Sequence, residues 1–332
     1  MSTMRVFFAG ASGAIGPLVV RELIDRGHDV VAMTSSAAKT PLLADLGAEP
    51  VVADALDAAA LMRAVRAARP DGVVNMLTRL PARPARPSQL RATNELRERG
   101  VRHLLDAAVA AGAQRFVSES FFGVYGFGPH ERPRTEDDPV GHERNGGIQA
   151  IIDAIASSEG QIRAASAEQR IEGVSLRFGA FHGPLAPSTQ TMVELVRRRR
   201  LPVIGAHGAV MPLVELGDAA RAVVDALEKA PAGRLYNVCD DEPVAMDDYL
   251  TELARVVGAP RPRHVPYWLV RAVAPYVATF MGRARVPMSN TRIADDLGWR
   301  PRYTTYREAL ALLGPSTDQP PKRPRRARTL AT

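Results

Sequence analysis

Apolar and polar positions alternate along the first half of this chain with two distinct periods. Six short apolar runs have the length and β-branched content of buried strands: "RVFFAG" (5–10), "DVVAMT" (29–34), "EPVVAD" (49–54), "GVVNML" (72–77), "QRFVSES" (114–120) and "GVSLRFG" (173–179). Stretches of helical spacing stand between them. "PLVVRELIDRG" sets Leu18, Val19, Leu23 and Ile24 on one face and stops at Gly27. "TPLLADLG" (40–47), "LDAAALMRAVRAARP" (56–70) and most of the region up to Gly112 read the same way, and a long helix is expected over 148–170.

Strands that alternate with helices at this spacing predict βαβ units. The expected fold class is α/β, a Rossmann-like doubly wound parallel sheet with a smaller C-terminal substrate lobe. We expect the dinucleotide-binding core over 1–180, with later elements interleaved, and the lobe mostly over 181–314. The pattern breaks between Gly126 and Gly147, where "GFGPHERPRTEDDPVGHERNGG" is rich in glycine, proline and charge. A loop of that length inside a compact domain is often functional. Further on, "EKAPAGRLYNVCDDEPVAMDDYLTELARVVG" reads as strand, loop and helix. "VPYWLVRAVAPYVATFMG" (265–282) reads as one apolar helix, buried or lid-like; Arg271 and Pro275 interrupt it too often for a membrane span.

The turn after the first strand carries "GASGAIG". Gly10 permits the tight turn, Gly13 lets backbone approach a pyrophosphate, and Gly16 lets the helix pack on the sheet. The amides of Ser12, Ala14 and Ile15 complete a phosphate cradle at the helix start. At the end of the second strand stand Thr34, Ser35 and Ser36, with Lys39 nearby, where an NAD-preferring site carries an acid. Hydroxyls and a lysine suit a 2′-phosphate, so the expected cofactor is NADP or NAD, with NADP favoured. Asp54 and Ala55, after the third strand, are placed for the adenine, with capping of the next helix as the other role for Asp54. Met76, Leu77 and Thr78 follow the fourth strand at the same sheet edge.

Charge changes this picture little. The formal net charge is +7, but Lys322, Arg323, Arg325, Arg326 and Arg328 against Asp318 put +4 in residues 315–332, which leaves +3 on the body. We expect that proline-rich tail to be disordered, and expect no nucleic-acid or membrane partner and no metal. The lone Cys239 permits no internal disulfide and fits a cytoplasmic protein. One bias carries more weight: Lys39, Lys229 and Lys322 are the only lysines. Arginine cannot release a proton near neutrality and substitutes poorly where a lysine has to tune one.

The ordered stretches "GASGAIG", "VVADALD", "HLLDAAVAAGAQRFVSES", "GVYG", "LRFGAFHGP", "GDAARAVVDALE", "YNVCDDEP" and "NTRIADDLGWRPRY" resemble the extended short-chain dehydrogenase/reductase family, the NAD-dependent epimerase/dehydratase group, over about residues 4–312. The resemblance implies a C-terminal lobe over the substrate and a homodimer paired through two long helices, here about 88–112 and 148–170. It also implies a Ser or Thr after the fifth strand and a Tyr–Lys pair four apart on the next long helix. The chain departs from that. No lysine occurs between Lys39 and Lys229, the long helix has no tyrosine, and Pro129 follows Tyr125 by four residues. Tyr125 matches a framework tyrosine of the family, and Phe121 stands at the usual hydroxyl position.

Chemistry then falls to other residues. Ser118, Glu119 and Ser120 end the fifth strand, with the serines on one face and Glu119 on the other. Glu119 is a possible general acid or base, or a partner of Arg115 or Arg177. Glu159, near the place of the missing pair, is a second proton carrier or one end of a helix-surface salt bridge. His182 in "FGAFHGP" is a proton shuttle or packing. "TEDDP" (135–139) is a cation site or a solvated acidic loop, and "RRRR" (197–200) an anion site or a solvated helix end. The expected function is NAD(P)-dependent oxidoreductase, epimerase or dehydratase chemistry on a small polar or secondary-metabolite substrate. The alternative is a non-redox isomerase or lyase, or a nucleotide-sensing protein, on the same scaffold.

Overall fold

A computed structural model describes residues 3–81 and 83–314; the expected disordered tail at 315–332 lies outside the described residues. All six expected strands form: β1 Arg5–Ala9, β2 Asp29–Thr34, β3 Glu49–Val52, β4 Gly72–Asn75, β5 Arg115–Phe121 and β6 Glu172–Phe178. A seventh, Leu235–Val238, extends the sheet beside β6. Every neighbouring pair is parallel, and across the sheet the order is Leu235–Val238, β6, β5, β4, β1, β2, β3. The chain reverses its winding between β1 and β4. That crevice is where a doubly wound sheet binds its ligand.

Alternation along β1 explains the two main cores. Phe8 points into one with Val19, Val20 and Leu23 of the first helix (Gly16–Asp25) and Val223 and Leu227 of the helix Leu216–Lys229. Phe7 points the other way, among Leu61, Val65, Leu104 and Phe116. A third apolar cluster joins Phe122, Tyr125 and Ile148, Ile151, Ile152 and Ile155 of the long helix to Met211, Tyr249 and Tyr306 from the C-terminal third. It holds the smaller lobe against the sheet.

Three expected elements differ from the structure. The helical run Pro87–Ala110 is not uniform: a 3₁₀ turn and a short α segment lead into a π turn, Leu96–Gly100, before the helix Val101–Ala110. The long helix runs Gly146–Ala167, started by Asn145, whose side chain accepts from the Gly147 and Ile148 amides. The apolar stretch 265–282 is not one helix. It breaks at Ala274, which precedes Pro275 and adopts φ −139° and ψ 70°, a conformation outside the helical region. Tyr267–Val273 and Pro275–Val277 are separate, followed by a π turn, Ala278–Arg283. Trp268 and Val273 are each 69% exposed, so this segment is not buried along its length. Among the described residues no helix is long and apolar enough to cross a membrane.

The acidic loop is only partly solvated: Asp137 is exposed, whereas Glu136 and Asp138 are buried. Asp138 is buried and accepts from Arg132 Nη2 at 2.6 Å, Arg132 Nη1 at 3.0 Å and the Thr135 amide at 2.8 Å. Glu136 accepts from the Asn237 amide at 2.7 Å, and Arg292 pairs with Glu136 and Asp137. These acids bind the chain's own cations and fasten the 126–147 loop to the edge strand. By contrast Arg197 to Arg200 are all exposed at a helix end.

The Arg132 hydrogen bonds hold the Asp138 carboxyl down at about 2. The unfolded value is about 3.9. A depressed folded value gives stability that is complete above the unfolded value and is lost as pH falls through the folded one. Asp138→Asn should therefore lower the melting temperature by an amount that is constant between about pH 5 and about pH 8 and shrinks as pH falls from about 4 toward about 2. A gap that persists undiminished in acid would show that Asp138 works by shape, not charge.

Candidate functional site

The glycine loop fits a dinucleotide. Gly10 has φ +95°, and a Cβ there would lie 2.5 Å from Met76 O. A Cβ on Gly16 would lie 2.0 Å from Ala11 O, so only glycine lets the first helix close on the turn. Two loop amides are used internally, Gly13 N to Gly10 O and Gly16 N to Gly13 O. Among the described residues the amides of Ser12, Ala14 and Ile15 take no acceptor. They stand free at a helix start, which is the donor set a pyrophosphate requires.

At the adenosine side the expected residues divide by exposure. Thr34 is buried and committed, its hydroxyl 2.8 Å from Ser12 Oγ and accepting from the Ser36 amide. Ser35 and Lys39 are exposed and Ser36 half-buried, with Lys39 Nζ donating to Ser12 O at 3.2 Å. Asp54 is exposed and accepts from the Leu56 amide. The cap of the next helix is Asp57, not Asp54. Ala55 and Met76 are buried, while Leu77 and Thr78 open progressively to the surface.

The end of β5 separates its residues by the strand's alternation. Ser118 and Ser120 are buried; Glu119 and Phe121 are half-buried on the other face. Ser118 accepts from Asn75 Nδ2 at 2.8 Å, its neighbour in register on β4. Ser120 donates to Glu159 Oε1. Glu119 pairs with Arg97, Nε to Oε1 at 3.2 Å, and not with Arg115 or Arg177. Arg115 is held by Glu172 and the carbonyls of Ala226 and Ala230. The π turn Leu96–Gly100 delivers Arg97 to Glu119. Sequence reasoning missed this residue, although a signal existed: Arg97 interrupts the stripe Leu90, Thr93, Val101, Leu104, all buried at helical spacing.

Glu159 is not on the helix surface. It is buried and pairs through both carboxylate oxygens with one edge of a buried guanidinium, Arg177 Nε at 2.7 Å and Nη2 at 2.6 Å. Arg177 lies 4.6 Å from the centre of the Tyr125 ring. The Tyr125 hydroxyl is within hydrogen-bond distance of Asn237 Oδ1 (2.8 Å) and Thr135 O (2.9 Å). Burial pushes this phenol up to about 12, against the opposing charge of Arg177. Tyr125 is framework. The rest of the long helix's buried face is apolar over Ile148, Ile151, Ile152 and Ile155.

His182 belongs to another cluster. Its Nε2 lies 3.2 Å from Asp240 Oδ2, off hydrogen-bond alignment, and both side chains are 1% exposed. Its ring meets Tyr249 edge-on. Removing one partner of a buried ion pair leaves the other charge uncompensated, at a cost of about 3–5 kcal/mol. Glu159→Gln should lose stability on that scale in urea unfolding, and Glu159→Leu with Arg177→Met should recover most of it. Unfolding free energy unchanged in the single variant would release Glu159 for a chemical role.

Comparison with known proteins agrees with this geometry. The family model described as the NAD dependent epimerase/dehydratase family matches residues 6–239. A 3-diazoavenalumate denitrifying reductase from a Streptomyces species is 35% identical over 313 residues, covering 92% of this chain and 99% of that protein. A 2-alkyl-3-oxoalkanoate reductase from Stenotrophomonas maltophilia is 28% identical, covering 78% and 77%. The solved UDP-glucose 4-epimerase of Thermus thermophilus, in complex with NAD, superposes with a TM-score of 0.76 at 24% identity over 93% of this chain and 97% of that one. The Pseudomonas aeruginosa protein RMD, complexed with NADPH, superposes with a TM-score of 0.69 at 19% identity over 94% and 98%. With the glycine cradle, the strand order and these matches in agreement, the chain belongs to the NAD-dependent epimerase/dehydratase family.

Proposed function

We propose that this chain is an NADPH- or NADH-dependent reductase of a small carboxylate, and that the group it reduces needs no proton from the protein. The observation that carries this reading is a complete cofactor cradle beside a strand end whose acids are engaged. Glu119 is held by Arg97, Glu159 by Arg177, and the Tyr125 hydroxyl faces Asn237. Reducing a ketone requires a proton for the new alkoxide, and epimerase or dehydratase chemistry requires proton transfer at oxygen or carbon. The long helix Gly146–Ala167 contains neither tyrosine nor lysine, which supports the same reading. A diazo group, as named in the Streptomyces relative, avoids the requirement.

When bound, the reduced nicotinamide supplies hydride, and R–N₂⁺ + H⁻ → R–H + N₂ balances: the hydride pair forms the C–H bond while the C–N pair leaves with dinitrogen. The chain's own residues bind and orient. Free amides of the glycine loop take the pyrophosphate, and Ser35, Ser36 and Lys39 reach a 2′-phosphate. Asp54 and Ala55 border the adenine, and Met76, Leu77 and Thr78 the adjoining ribose. The lobe 181–314 covers the substrate, and the outer faces of the two long helical runs pair the subunits of a homodimer.

Two experiments test this. With NADPH deuterated at C4, the protein should convert a diazonium benzoate to benzoate that carries deuterium at the former diazo carbon, faster than the protein-free control. Glu119→Gln should keep turnover within about threefold, whereas a required proton carrier would cost about 100-fold or more. Turnover of ketones or alcohols with none of the diazo compound would overturn the proposal. Separately, Lys39→Ala should weaken NADPH binding about tenfold, or about 1.4 kcal/mol, and leave NADH binding unchanged in calorimetric titration. Equal losses for both cofactors would place Lys39 away from the 2′-phosphate.

A further inference from the structure

We infer that an aromatic wall at the end of β5, with the free amino edge of Arg97, forms a subsite for a planar aromatic carboxylate. This deepens the reductase reading and rests on it for the place of the substrate. The wall begins at Phe121, which shares the half-buried face of the strand with Glu119. Phe121 stacks on Phe280, centroids 6.1 Å apart and planes 24° apart. Phe280 in turn stacks on Tyr276 at 5.8 Å and 14°. Behind them Phe122 and Phe127, both fully buried, pack against Phe280 at 5.9 and 6.2 Å and fix its plane. Phe280 and Tyr276 come from the broken segment after Ala274. The Tyr276 amide donates to Ala85 O at 3.0 Å, which ties that segment to the connection after β4.

Three near-parallel rings, all half-buried, keep part of their surface uncovered, and the subsite places a further ring against that part in offset or edge-on geometry. The polar part is Arg97. Its side chain is only 8% exposed, and Nε is used by Glu119. Among the described residues neither terminal amino group has an acceptor. A guanidinium this buried loses hydration that an acceptor would restore, and a carboxylate matches its two parallel N–H bonds. Arg97 reaches the wall through Glu119, which stands two residues from Phe121 on the same face of β5. The rings supply apolar stacking, and the amino edge supplies the charge that selects a carboxylate over a neutral ring.

Calorimetric titration of the full-length protein, with and without saturating NADP⁺, tests the inference using trans-cinnamate, 3-cyclohexylpropionate and cinnamyl alcohol. Cinnamate should bind about tenfold or more tighter than either analogue. Phe280→Leu should reduce cinnamate to the level of cyclohexylpropionate, and Arg97→Gln should reduce it to the level of the alcohol. Because Arg97→Gln strands Glu119, the double variant Arg97→Gln with Glu119→Gln is measured beside it, with melting curves to confirm folding. Equal affinity for all three probes in the wild type, or cinnamate affinity indifferent to Phe280→Leu and to the Arg97 variants, would overturn the subsite. No turnover enters this readout. Diazo reduction without cinnamate selectivity sinks the subsite alone, and selectivity without reduction sinks the reductase reading alone.

Discussion

The Arg177–Glu159 pair is the constraint around which this structure is arranged. Both groups are buried, and a charge in that environment persists only if it is paired; Arg177 uses Nε and Nη2 on Glu159, while Nη1 has no hydrogen-bond partner among the described residues. Glu159 therefore takes two bonds from Arg177 and one from Ser120, which locks the long helix to β5 and β6 at one depth. The guanidinium lies over Tyr125, and the Tyr125 hydroxyl reaches Asn237 on the edge strand. Asn237 takes its own partners from the loop, through Glu136 and Arg134 O, and from Ser289 O. One ion pair thus sets the relative positions of helix, sheet, loop and C-terminal lobe. A tyrosine within this lattice is held too firmly, and with its proton too tightly bound, to act as an acid or base.

That lattice also bears on the chemistry. The long helix itself offers no tyrosine or lysine, and four of its isoleucines pack into the apolar cluster with Phe122 and Tyr125. At the end of β5 Glu119 is engaged by Arg97 through Nε, and the terminal amino groups of Arg97 have no acceptor among the described residues. The surroundings are aromatic and partly dry. Such a site suits an acceptor that is already electron-deficient, and it suits poorly a reaction whose transition state places negative charge on oxygen without a donor nearby.

The sheet was legible in the chain because short, β-branched runs and helical stripes report burial directly. All six expected strands form, and the glycine loop lies at the β1/β4 reversal. What failed to show in the sequence depends on tertiary placement. The stretch 265–282 has continuous apolar content, yet Pro275 breaks it and its two halves face different surroundings. "TEDDP" looks solvated as text, but its carboxylates meet Arg132, Arg134 and Arg292, the last more than 150 residues away. Glu119 was visible as a site residue while its partner was not. Arg97 reads as one more charge in a polar helix until its position within a buried stripe is noticed.

The π turn at Leu96–Gly100 has a consequence for how such sites diverge. A π turn holds one residue more than an α-helix does over the same span. Loss of a single residue there would restore regular α-helix, leave the flanking segments on their buried faces and shift only the residues of the turn itself. The guanidinium would leave Glu119 and the aromatic wall while both flanking helices kept their packing. A one-codon deletion is thus a larger chemical change at this site than most point substitutions within it. Alignments that slide a gap through this region would conceal whether a relative retains the pair.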